Sequence, residues 1–143
     1  MESLIKEYIN DAINNQFLEA MFEFIKIPNQ SRLFDPEWKS NKLLNKVIEL
    51  AKNFAISQEI ENMTIEVLEE KNKTPALMLI IDPKYDRGTD SKSILIYGHL
   101  DKQPPISDQW TITDPYNPKL IENKLYGRGS ADDGPSRTEP ERR

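Results

Sequence analysis

Two short runs in which every residue is apolar, Ala76–Ile81 and Ile94–Tyr97, constrain the fold of this chain more than any other feature. Such runs are too short for a buried helix and suit strands covered on both faces. A third segment, 63–68, sets Met63, Ile65 and Val67 against Thr64 and Glu66, the alternation of a half-buried strand. Two helical segments precede these strands, and helices that lead into buried strands predict an α/β fold. Ligands of open α/β sheets collect beyond the carboxyl ends of strands. Ile94–Tyr97 ends at Gly98-His99, so that is where a site is expected.

The first helix is expected over residues 2 to about 26. Ile5, Ile9, Ile13, Phe17, Met21 and Ile25 recur every four positions and form a stripe that should face the core. Pro28 marks its end. The second is expected from Asp35-Pro36 to about Ser57, with Asp35 capping the first amides and Pro36 at the first helical position. Residues 104–118 read as a proline-punctuated loop, and Lys119–Tyr126 as a hairpin turning near Glu122-Asn123.

Composition narrows the partners. The net charge is -5 with both signs scattered, and no basic patch with interleaved aromatics occurs, so nucleic acid is not an expected partner. The longest apolar run is far too short to cross a bilayer. The N-terminus lacks the basic and apolar regions of a secretory signal. There are no cysteines, which excludes disulfides and thiolate metal sites. These points lead to the expectation of a soluble, cytoplasmic protein with no membrane partner.

The chemistry-bearing residues fall in two motifs. His99, the only histidine, stands two residues before Asp101, and Asp132-Asp133 follows the Gly127-Arg-Gly129 turn about thirty residues later. Zinc accepts imidazole nitrogen and carboxylate oxygen. In extended backbone Asp101 would point the same way as His99 and could accept its other ring N–H, as carboxylates commonly do behind metal-bound histidines. Asp132 is a candidate oxygen ligand able to bridge two ions. Each motif alone has a plainer reading: a loop histidine bonded to a nearby acid, a helix cap, a turn. Tyr97, Trp110, Tyr116 and Tyr126 read as packing residues. The glycines lack the pattern that cradles phosphate, so a P-loop is excluded.

Taken together, Leu95–Pro104, Trp110, Asp114–Pro118 and Lys124–Gly134 resemble the M20 metallopeptidase family, in particular its carnosinase-like cytosolic dipeptidase branch. The likeness covers residues 1–134. It implies a three-layer α/β/α zinc-peptidase catalytic domain, and an inserted smaller domain for dimerisation and closure that this chain stops short of. It also implies a site of two divalent ions, zinc or manganese, that hydrolyses dipeptides or short peptide amides. His99 would ligate one metal, Asp132 would bridge both, and Asp101 would orient His99, the role called catalytic in this family. The resemblance further implies a homodimer, and a cis bond between Asp132 and Asp133.

Residues 135–143 depart from the family. They hold proline and charge with no apolar side chain, the composition of a disordered tail. His99 and Asp132 are two of the five metal ligands the resemblance implies, and the family's glutamate base has no counterpart. The expectation is therefore a truncated chain that binds metal weakly, is marginally stable and is inactive alone. Two alternatives stay open: a shortened, non-catalytic interaction module, and descent from deacylases of N-acyl amino acids.

Overall fold

The computed structural model describes residues 2–85 and 92–131. In chain order it contains α1 (Glu2–Ala12), a π-helical turn (Ile13–Phe17), α2 (Leu18–Lys26), α3 (Trp38–Asn41), α4 (Leu43–Ser57), β1 (Met63–Leu68), β2 (Ala76–Ile81), a 3-10 turn (Ser107–Gln109), β3 (Lys119–Ile121) and β4 (Lys124–Tyr126).

The first helix runs as expected, with one feature the periodicity does not reveal: its middle is wound as a π-turn. Backbone angles at Ala12 and Leu18 stay helical, so α1, the turn and α2 are continuous. The helix stops at Ile27, which is extended at φ -81°, ψ 116°. A residue before proline is pushed out of helical geometry, and Pro28 supplies that push.

Only the second half of the apolar stripe meets a core. Ile25 and Ile27 are buried with Leu44, Val47, Ile48 and Ala55 of α4. Phe17 meets Phe54 edge to face at 6.3 Å between ring centroids. Ile5, Ile9 and Ile13 remain about half exposed, because α4 reaches no further along the helix. The core-facing expectation is corrected for that half.

The second helix also departs from expectation. Asp35 accepts the Glu37 amide at 3.0 Å and the Asn41 side-chain amide at 2.8 Å. α3 begins only at Trp38, however, with Glu37 at its N-cap position and no side-chain cap, so Asp35 and Pro36 form a turn ahead of the helix and the capping expectation is corrected. Lys42 then takes a left-handed conformation with φ 60° and divides the segment into α3 and α4. Asn41 enables the break: its side-chain oxygen accepts the Leu43 amide at 3.0 Å and opens a new helix there.

β1 and β2 form an antiparallel hairpin in register from Met63 opposite Ile81 to Leu68 opposite Ala76. α4 packs against β2. β2 was expected to be buried on both faces, yet most of its residues are exposed; among the described residues it packs chiefly against β1 and α4. A larger correction concerns Ile94–Tyr97. These residues form no strand and are between 85% and 95% exposed. An extended segment becomes a strand only when a neighbour accepts its backbone hydrogen bonds, and none lies beside it among the described residues. The argument placing His99 at a strand end falls with it.

β3 and β4 pair antiparallel, turning through Glu122 and Asn123 with φ 49° and 61°. Two consecutive positive φ values make the tight two-residue hairpin turn that matches strand twist. The fold thus mixes packed helices with two small antiparallel sheets, compatible with the expected α/β class. Among the described residues no helix is long and apolar enough to cross a membrane. The Asp132-Asp133 bond and the tail at 135–143 lie outside the described residues.

Candidate metal centre

His99 and Asp101 come together. The ring Nδ1 of His99 lies 3.0 Å from Asp101 Oδ1 and 2.9 Å from the Asp101 carbonyl oxygen. Both neighbours are acceptors, so Nδ1 is the nitrogen that carries the proton. Nε2 is then the nitrogen whose lone pair suits a cation. Each of the two side chains keeps about a third of its surface exposed. Both line a cavity of about 460 Å³ whose opposite walls include Leu44, Val47, Ala76 and Leu77. The imidazole and the carboxylate thus share one loop at the edge of this cavity.

The residue after this pair is the one sequence reasoning missed. Lys102 is 1% exposed. Its Nζ donates to the Phe24 carbonyl at 2.6 Å, to the Ile27 carbonyl at 2.6 Å and to Asn29 Oδ1 at 2.8 Å. It also sits 4.0 Å from the centroid of the Phe24 ring. An ammonium has three protons, and three acceptors take them. Burial pulls the Lys102 pKa down to about 7. The main chain adds a parallel bridge: the Lys102 amide donates to the Asn29 carbonyl at 3.2 Å, and the Ser31 amide to the Lys102 carbonyl at 2.9 Å. Asn29, also fully buried, donates from Nδ2 to the Leu100 carbonyl at 2.7 Å. Asp101 is therefore flanked on both sides by anchored residues.

The Gly127-Arg-Gly129 turn closely approaches the end of the first helix and the Lys102 stem. A Cβ at Gly127 would stand 2.6 Å from Ile25 Cγ2, and one at Gly129 would stand 2.9 Å from Lys102 Cε. Between them, the Arg128 amide donates to the Pro115 carbonyl at 2.7 Å and its guanidinium to the Pro105 carbonyl at 3.2 Å. Trp110 shares that carbonyl through its indole N–H at 2.6 Å and lies beneath Arg128, with the guanidinium carbon 5.4 Å from its ring centroid. Trp110 is thus a packing residue, whereas Tyr97, expected to pack as well, is 85% exposed.

Asp132 lies outside the described residues. Among the described residues no group of three histidine, cysteine, aspartate or glutamate side chains is placed to hold a metal ion.

The chain is similar to known proteins. The chain is 30% identical over 134 residues to a Cys-Gly metallodipeptidase of Candida albicans, covering 86% of this chain and 26% of that protein. It is 28% identical over 132 residues to the Beta-Ala-His dipeptidase of Rattus norvegicus, covering 88% of this chain and 26% of that protein. The dipeptidases it resembles over most of its length are members of the M20 metallopeptidase family. It spans about a quarter of the length of the M20 relatives it first matches. A shorter stretch of 47 residues is 47% identical to the succinyl-diaminopimelate desuccinylase of Thiobacillus denitrificans, covering 32% of this chain and 12% of that protein. No family model matches the chain.

Proposed function

We propose that this chain carries the first half of a metal-dependent amide-hydrolase site of the M20 type, acting on dipeptides or short peptide amides. The observation that carries the reading is the His99–Asp101 pair, with Nδ1 bound to the acid and Nε2 suited to a cation. The donor chemistry fits zinc or manganese. His99 would supply the nitrogen ligand, Asp132 a bridging carboxylate, and Asp101 the orientation of the ring. When bound, divalent ions polarise the scissile carbonyl and acidify water. Asp101 holds the imidazole in one tautomer through the reaction. His99 and Asp132 are two ligands where catalytic zinc sites use three, so these 143 residues are expected to bind metal weakly and to be inactive by themselves. In this reading the three-layer catalytic domain, the inserted dimerisation domain and the cytoplasmic setting belong to the whole family architecture.

The names of the relatives support amide hydrolysis as a class: two dipeptidases and a desuccinylase. The dipeptidase likeness covers most of the chain and is the reason for preferring peptide substrates over N-acyl amino acids. A second reading, an interaction module, is favoured by one observation: Leu4, Ile5, Tyr8 and Ile94–Tyr97 present exposed apolar side chains.

A chimera tests the proposal. Residues 1–131 replace the matching segment of the Candida albicans Cys-Gly metallodipeptidase, and Cys-Gly hydrolysis is measured with zinc or manganese. Turnover that His99→Ala lowers by two or more orders of magnitude supports the reading. A folded chimera whose turnover is indifferent to His99→Ala overturns it.

A further inference from the structure

Lysine is an expensive residue to bury, and Lys102 is among the most deeply buried side chains described. Its three acceptors come from the end of α2 and the turn after it: the Phe24 and Ile27 carbonyls and Asn29 Oδ1. An apolar side chain would fill the same hole without needing them. The lysine must therefore do something that packing alone does not.

The loop itself says what. Upstream of His99, Ile94–Tyr97 are between 85% and 95% exposed and belong to no sheet, so that side provides no rigid support. Downstream, Leu100 and Lys102 are both bonded to Asn29, and Asp101 sits between them. Asp101 meets His99 Nδ1 through two atoms, its carbonyl and Oδ1. Both contacts depend on the Asp101 backbone keeping one orientation, and the flanking bonds fix that orientation. Gly129 closes over the Lys102 stem so tightly that a Cβ there would lie 2.9 Å from Cε.

We propose that Lys102 is a positioning residue of this site: its Nζ, clasped by Phe24, Ile27 and Asn29, locks the loop so that the His99 imidazole is held in the Nδ1–H form with Nε2 presented to the metal. The inference rests on the reading of His99 as a metal ligand. Lys102 touches neither metal nor substrate in this role. It acts through the Asp101 backbone.

His99 is the only histidine, so one set of imidazole signals reports the outcome. Long-range 1H–15N correlation spectra at neutral pH give the tautomer ratio in the wild type and in Lys102→Met, which keeps the length of the side chain and removes its donors. Circular dichroism checks that the variant is folded. The wild type should favour Nδ1–H by at least about tenfold, as a hydrogen bond to a carboxylate implies. In Lys102→Met the ratio should move to that of an unconstrained histidine. A folded Lys102→Met with the wild-type ratio overturns the proposal, because a filler of the hole would lower stability and leave the tautomer alone. If Lys102→Met does not fold, Asn29→Ala is read the same way: a partial shift supports the clasp and an unchanged ratio overturns it. Zinc is then added to the wild type in large excess, because two ligands are expected to hold it weakly. A tautomer effect without any zinc-induced change at Nε2 would refute the metal reading and leave the clasp standing.

Discussion

Lys102 and Asn29 hold each other twice, the lysine Nζ on the Asn29 side-chain oxygen at 2.8 Å and the lysine amide on the Asn29 carbonyl at 3.2 Å. One residue follows the His99–Asp101 pair and the other follows the proline that ends the first helix. The two hydrogen bonds between them join the helix end to the loop that carries His99 and Asp101.

This arrangement makes folding sensitive to alkali in an unusual direction. Burial draws Lys102 from its ordinary 10.5 to about 7. Between those values the unfolded chain holds a proton that the folded chain has released, so unfolding takes up a proton and rising pH favours the folded state. Below about pH 7 both states are protonated and the dependence vanishes. Urea midpoints measured from about pH 7 to about pH 10 should rise in the wild type relative to Lys102→Met. Parallel curves for the two proteins would refute the assignment.

Gly127→Ala should destabilise the chain by about 1–3 kcal/mol, the range for overpacking a filled core. The new methyl would meet the fully buried Ile25 at 2.6 Å, and the φ of +156° adds strain. Gly98→Ala is the control. Nothing lies within 4 Å of a Cβ there, so its effect should stay within about 0.5 kcal/mol. Equal effects in chemical denaturation would show that the close approach at Gly127 is not real.

Part of this was legible in the residues. Pro28, the β1 alternation and the Glu122-Asn123 turn act locally, and each appears where its chemistry predicts. The break at Lys42 was hidden because it depends on one asparagine side chain competing with the helix backbone. Ile94–Tyr97 misled for a different reason: apolar character announces burial, but burial needs a partner, which no run of residues can specify alone. The His99–Asp101 contact was legible because two residues share one loop. Lys102 was not, since its acceptors are mostly backbone carbonyls more than seventy positions earlier, and a carbonyl leaves no signature in the sequence.

The exposed run Ile94–Tyr97 should govern solubility. Such a segment is a template for association with other chains. Leu95, 95% exposed, can be replaced by lysine with little effect on thermal stability, within about 0.5 kcal/mol. Light scattering at raised concentration should fall in Leu95→Lys. Unchanged scattering would place the sticky surface elsewhere, with α1 the next segment to test.

The clasp also sets an order of events during synthesis. Its parts are contributed by residues 24–29, then 100–102, then the turn at 127–129 that seals the lysine. A ribosome that has just made His99 and Asp101 has made the motif but not its frame. Until the second glycine of the Gly-Arg-Gly turn has emerged, the clasp lacks the residue that closes over the lysine stem.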